Sequence, residues 1–370
     1  MEVISLAGGS SYFTSPEPAV SAAVAALHNA KNEYGPTEGS LELRRSICRR
    51  YETYGLALPA ERVLVTPGVK QALFNLFSVL LRDEDEVLIP TPAWFGFHEL
   101  LRYSRGKLME LPTQAIDGYK LTPEMLRRSI RPKTRILLLT NPGNPTGRTY
   151  TREELEALLH VVNEYPDLYF VSDEIYDFVT YGQPVTPALC CEGAKAARTV
   201  ILNGFSKSFA MSAWRIGYII GSSDLIRKCT DFQAATLSGV NVFTQAGARA
   251  AMEKREQELP AMLEALTENR RIMQKGLDAI PHVHYYLPDG AYYFFPDLSY
   301  YLNRTSITGE QLKTTADLCR YLRTCYNLEL APGDSFGSPG HVRMSFAVEK
   351  HRLQDAMQRL RQGLMLLITA

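Results

Sequence analysis

The sequence predicts an α/β protein built on a mostly parallel sheet, followed by a smaller α+β part. Three observations predict it. Short apolar β-type runs alternate with helical patterns through the middle of the 370-residue chain, as crossover connections between parallel strands require. Those runs are apolar almost without interruption, which fits strands covered on both faces. Toward the C-terminus the pattern changes: Tyr292 to Phe295 and Val342 to Phe346 read as strands of another sheet, and Leu353, Ala356, Met357, Leu360 and Leu364 fall on one helical face.

In chain order, Arg62 to Thr66 is the first strand candidate, and a helix-like stretch from Gln71 to Leu80 follows it. Glu86 to Ile89, Arg135 to Leu139, Leu168 to Val171 and Thr199 to Leu202 are the next strands. Helix starts stand between them. Thr122 before Pro123 gives a cap and a first-turn proline, and Thr151 with Glu154 has capping-box spacing.

Composition narrows the function. The 45% hydrophobic content supports a large core, and the length favours two domains. Forty basic side chains balance forty acidic ones, so no overall field favours nucleic acid or an anionic membrane. Small molecules, or further copies of the chain, are the expected partners. The six cysteines show no C-x-x-C spacing and no accompanying histidine cluster, so no metal is expected and the thiols read as reduced and structural. The start, Met1 to Leu6, lacks the pattern of a signal peptide, and no apolar run reaches the ~20 residues of a membrane span. A cytoplasmic location is the expectation.

In an open parallel sheet, ligands sit outside the carboxyl ends of the strands. After the first run, Thr66-Pro67-Gly68-Val69-Lys70 reads as a plain strand-to-helix turn or as an anion site at a helix N-terminus. Asn141-Pro142-Gly143-Asn144-Pro145-Thr146-Gly147 is a stiff turn with two free amide side chains. Ser172-Asp173-Glu174-Ile175-Tyr176 reads as a helix start or as a carboxylate placed at a strand end. Lys207 follows the last run among small and apolar residues; it is an ordinary lysine or, if desolvated, a nucleophilic amine. Trp94 reads equally as core, and Arg343 as a surface ion-pair residue.

Together the segments are more specific. Tyr34-x-Pro36-x-x-Gly39, the Gly68 turn, the Asn141 to Gly147 run, Ser172-Asp173-Glu174-x-Tyr176, Ser206-Lys207 and Trp214-Arg215-x-Gly217 occur in one order. This chain resembles the class I and II aminotransferases of pyridoxal 5′-phosphate (PLP) fold type I, over essentially its whole length. The resemblance implies a large domain over 33–262 with a mostly parallel seven-stranded sheet sandwiched by helices. It also implies a small α+β domain from 1–32 and 263–370.

The resemblance further implies PLP as cofactor, amino-acid and 2-oxo-acid substrates, and a homodimer with shared active sites. Lys207 matches the Schiff-base lysine, which also moves the proton, and Asp173 matches the partner of the pyridine nitrogen. Tyr176 and Asn144 match residues that bond the phenolic oxygen, and Trp94 matches the aromatic that covers the ring. Arg215 matches the phosphate arginine, aided by Ser206 and by the amides near Gly68, Val69 and Lys70; Tyr34 matches a tyrosine reaching the phosphate of the neighbouring subunit. Arg343 and the backbone of Gly9 match the clamp on the substrate carboxylate.

Two positions depart from relatives. Gly204 stands where several carry a phosphate-binding hydroxyl, which Ser206 or Ser208 is expected to replace. Ala234 stands where dicarboxylate-specific relatives place an arginine that reaches the site from the partner subunit, so aspartate specificity is not implied, and Tyr12 and Phe13 point to a larger side chain. Transamination is therefore expected, with β- or γ-elimination, cyclisation or oxidation at the α-carbon as the alternative. A PLP-binding sensor would be expected to carry a helix-turn-helix segment, and a nicotinamide dehydrogenase would need a G-x-G-x-x-G turn.

Overall fold

The computed structural model describes residues 2–29, 33–194 and 198–367. Seven strands form the central sheet: β1 (Val63–Thr66), β2 (Glu86–Thr91), β3 (Lys107–Pro112), β4 (Thr134–Thr140), β5 (Tyr169–Asp173), β6 (Arg198–Gly204) and β7 (Gly217–Ile220). Their spatial order is β1-β7-β6-β5-β4-β2-β3. Neighbours from β3 through β6 pair in parallel, whereas β7 runs antiparallel to both β6 and β1.

The sequence marks five of these strands and misses β3 and β7. β3 is an edge strand, half exposed along its length and ending in Pro112, so it lacks the continuous apolar signature. β7 is short and follows directly on the Trp214-Arg215 segment, which hides it. The other five are covered on both faces. On β4, Ile136 and Leu138 pack with Leu64, Val87 and Ile89, while Leu137 and Leu139 pack on the opposite side with Val63 and Val65. Each such side chain contributes about 2 kcal/mol by leaving water.

Helices Val69–Leu80 and Ser223–Thr236 cover the first of these faces, and Leu41–Glu52 and Arg152–Asn163 the second. The anticipated caps are present. The Thr122 hydroxyl accepts the Met125 N–H with Pro123 in the first turn, and Thr151 and Glu154 cap each other reciprocally.

A three-stranded antiparallel sheet forms the second part, with Val342–Ser345 between Ala331–Pro332 and Tyr293–Phe294. Helix Lys350–Met365 packs beside it and buries Leu353, Ala356, Met357, Leu360 and Leu364, the face read from the periodicity. The N-terminal segment is laid across this part. Ile4–Ser5 pairs with Leu328–Glu329, the Leu6 carbonyl accepts the Ser345 N–H at 2.7 Å, and Tyr12 N–H donates to the Ala347 carbonyl at 3.0 Å. The loop between, Ala7 to Ser11, is thereby held over the carboxyl ends of the central strands. Among the described residues no helix is long and apolar enough to cross a membrane.

Candidate active site

Where the two parts meet, a cavity of about 330 Å³ opens above the ends of β5 and β6. Val69, Lys70, Trp94 and Asn144 line it, with Asp173, Tyr176, Ser206, Lys207 and Arg215. Gly9 and Arg343 reach it from the second part. Eleven residues scattered over the sequence therefore converge on one space. Tyr34 does not join them: it is 94% exposed and lies outside the cavity of its own chain.

Gly68 acts through its missing side chain. It caps helix Val69–Leu80 at φ 84°, and a Cβ there would come within 2.6 Å of the Arg215 guanidinium. The arginine thus lies against the helix N-terminus, where the first N–H groups have no partner within the helix. Arg215 Nη1 donates to the Ser212 carbonyl at 2.8 Å, and the remaining N–H groups are left for an anion. This cradle of an arginine fork and free amides fits a phosphate.

Asp173 ends β5 and is 5% exposed. The Ile175 N–H at 3.3 Å is the one hydrogen-bond donor to its carboxylate among the described residues. Burial pushes this carboxyl up to about 7, against the lowering effects of the Ile175 amide and of Lys207. A cation brought against it would restore the ordinary charged form, which is what a protonated ring nitrogen provides.

Arg343 is 5% exposed and lies over the rings of Tyr293 and Phe336, at 4.5 and 4.8 Å. Its Nη1 donates to Asn144 Oδ1 at 3.1 Å and its Nη2 to the Ala7 carbonyl at 2.6 Å, while Nε has no partner. A buried salt bridge is made elsewhere by Arg50 with Asp177, and a partly buried one by Arg148 with Glu154. Among the described residues no salt bridge involves Arg343, Lys207 or Asp173. Lys207 Nζ, half-buried, donates to the Gly9 carbonyl. The Tyr176 and Tyr293 hydroxyls bond each other at 2.9 Å, and burial, with the phenols of Tyr293 and Tyr292, holds the Tyr176 hydroxyl well above its usual range.

One of the two departures has a physical explanation. A Cβ on Gly204 would sit 2.8 Å from Gly217 Cα and 2.9 Å from the Ile216 carbonyl, so the β6–β7 crossing excludes any larger residue. Ser206 and Ser212 line the cavity and can supply hydroxyls. Ser208 does not, because it is fully buried and its hydroxyl faces Asp177. Ala234, whose position would serve the partner subunit's cavity, is exposed on helix Ser223–Thr236 and does not line this one, and nothing in the structure explains that departure.

Tyr12 and Phe13 are not part of the cavity wall; they stack on each other at 4.2 Å, and Phe13 packs on the core. The aromatic wall comes instead from Phe95 and Tyr293, which sequence reasoning missed along with Ser10, Thr140, Ile175 and Ser212. Phe95 directly follows Trp94 in the turn after β2, which is the one local signal that could have found it.

The comparisons agree with this geometry. The sequence model of "Aminotransferase class I and II" matches residues 2–360. The chain is 34% identical to the aspartate aminotransferase of Bacillus subtilis, over 98% of this chain and 91% of the relative. It is 32% identical to the aspartate/prephenate aminotransferase of Nitrosomonas europaea, over 97% and 91% of the two chains. The crystal structure of the aspartate aminotransferase from Rhizobium meliloti superposes with a TM-score of 0.94 at 32% identity, covering 99% of this chain and 92% of that one. The Thermus thermophilus aspartate aminotransferase with maleate gives 0.90 at 31% identity, over 98% and 92%. The chain belongs to the class I and II aminotransferases, the PLP-dependent transaminases of fold type I.

Proposed function

We propose that Lys207 is the amine that holds PLP in this transaminase, and that the cavity moves an amino group from an L-amino acid, aspartate among the donors, to a 2-oxo acid. One observation carries the assignment. A buried arginine without a carboxylate, a buried carboxylate without a cation, and a half-buried lysine share one cavity. Each lacks a counterpart that cofactor and substrate would bring. When bound, PLP supplies the electron sink that weakens bonds at the substrate α-carbon.

The side chains divide the remaining work. Asp173 would pair with the ring nitrogen and keep it protonated. Arg215 would hold the phosphate together with the amides of Val69 and Lys70 and the hydroxyl of Ser206. Trp94 would cover the ring, and the Tyr176 hydroxyl and the Asn144 amide would bond the phenolic oxygen. Arg343 receives the α-carboxylate as a planar fork, beside the backbone of Gly9. Lys207 Nζ would accept the proton from the substrate α-carbon and deliver it to C4′ of the cofactor, and it donates to the Gly9 carbonyl at the edge of the cavity.

The substrate reading rests on charge. With Arg215, Lys207 and Arg343 assigned, Lys70 is the cation left among the residues lining the cavity, its Nζ 5.3 Å above the Trp94 ring. A second carboxylate suits it, which agrees with the aspartate in the relatives' names and the maleate in the Thermus thermophilus structure. This reading differs from the expectation drawn from Ala234. Lys70→Ala should lower kcat/KM for aspartate by about 10–100-fold and leave alanine within about twofold. Equal losses for both donors would remove the assignment. No feature of the site favours elimination, cyclisation or oxidation.

We read the active unit as a homodimer of a cytoplasmic biosynthetic enzyme. Val20, Val24 and Leu27 stand 43%, 46% and 56% exposed on helix Glu17–Asn29. They line a cleft with Leu237, Trp214 and Arg215, so an apolar face for a second copy is continuous with the phosphate cradle. The exposed Tyr34 is then available to the partner. All six cysteines are free, which fits a reducing compartment.

A further inference from the structure

Beneath the cavity floor lies a second polar cluster that the proposed chemistry does not use. Asp177 pairs there with Arg50, the side chains being 1% and 3% exposed. Asp177 Oδ2 accepts from Asn203 Nδ2 at 2.6 Å, and Oδ1 from the Ser208 hydroxyl at 3.4 Å. Asn203 Oδ1 in turn accepts the Gly204 N–H at 2.6 Å, and the Ser208 hydroxyl lies 3.5 Å from the Ile175 carbonyl. One carboxylate therefore reaches residues on both sides of Lys207 from the segment that follows Asp173.

We propose that Arg50 and Asp177 are positioning residues: Asp177, oriented by Arg50, locks the chain from Asn203 to Ser208 against the chain from Asp173 to Asp177 and so sets where Lys207 stands relative to Asp173. The inference rests on the reading that Lys207 holds the cofactor. Arg50 is itself constrained, by the Phe178 ring at 4.5 Å and the Tyr218 hydroxyl at 3.3 Å. The titratable groups facing the pair are Tyr51, Tyr54, Tyr218, Glu174, Asp173 and Cys190. Burial pushes Glu174 up to about 8.

An ion pair serving stability alone can be exchanged for apolar residues of similar volume at little cost. That exchange is the test. The holoenzyme carrying Arg50→Met and Asp177→Leu together is compared with wild type by pH titration of the bound cofactor's visible band and by steady-state kinetics. A displaced Lys207 moves the midpoint of the band by about half a pH unit or more. It also lowers kcat about tenfold or more with KM within about twofold. A folded double variant with wild-type midpoint and kcat overturns the inference.

If the double variant does not fold, Ser208→Ala, which deletes one oxygen, is read by the same two quantities. A moved midpoint with lowered kcat supports the inference, and wild-type values overturn it. The wild-type control separates the two readings. A wild-type protein without a Lys207-dependent band sinks the cofactor assignment and this inference with it, whereas a normal wild type beside an unchanged variant sinks the inference alone.

Discussion

Arg343 and Asp173, a base and an acid, line one cavity and do not pair with each other. Each is aimed at something else, and the consequence for Asp173 and its neighbour Glu174 is measurable. Burial pushes the two carboxyls up to about 7 and about 8. In the cofactor-free protein the folded state therefore keeps protons that the unfolded chain releases near pH 4, where ordinary carboxyls titrate. The stability these groups contribute is full below about pH 4 and lost as pH rises toward 7 to 8. Urea unfolding of the cofactor-free protein should show that decline, and Glu174→Gln should flatten its upper part; a stability that rises between pH 5 and 8 in both proteins would contradict it. At this scale the sequence was informative where cavity-lining residues sit in contiguous motifs, as at Asp173, Lys207 and Arg215. Tyr293 was illegible because it meets Tyr176 from 117 residues away, and no local pattern distinguishes Ser206, which faces the cavity, from the buried Ser208.

At the scale of elements, the β6–β7 crossing shows how a departure from relatives can be structural. Gly204 and Gly217 face each other across the antiparallel pair, and their closeness leaves no room for a hydroxyl at 204. Gly204→Ser should therefore destabilise the protein by about 1–3 kcal/mol through overpacking and should not tighten cofactor binding. Denaturant midpoints and cofactor titration check both halves; a stable variant with higher affinity would contradict the account. Both-face burial made five central strands readable from apolar runs, and caps fixed two helix starts at Thr122 and Thr151. The edge strand β3 lacked that signature, and β7, though buried throughout, is four residues long and adjoins the Trp214-Arg215 segment that hides it. The loop from Ala7 to Ser11 owes its position to hydrogen bonds with the Val342–Ser345 strand, a pairing between chain ends that periodicity does not encode.

For the whole molecule, the apolar face of helix Glu17–Asn29 lines a cleft that reaches Arg215, and the proposed dimer would join there. Leu27→Asp places a charge on the most exposed of its large apolar residues and should shift sedimentation from dimer to monomer at micromolar concentration. Activity should fall with dissociation, since the cleft borders Arg215; a fully active monomer would contradict the shared site. The central claim, that Lys207 is the amine carrying PLP, has a more direct test. The holoprotein is reduced with borohydride, digested and analysed by mass. The account predicts a pyridoxyl-phosphate label on the peptide containing Lys207, and no visible cofactor band in Lys207→Ala. A label on another lysine, or a visible band that persists in Lys207→Ala, would contradict it.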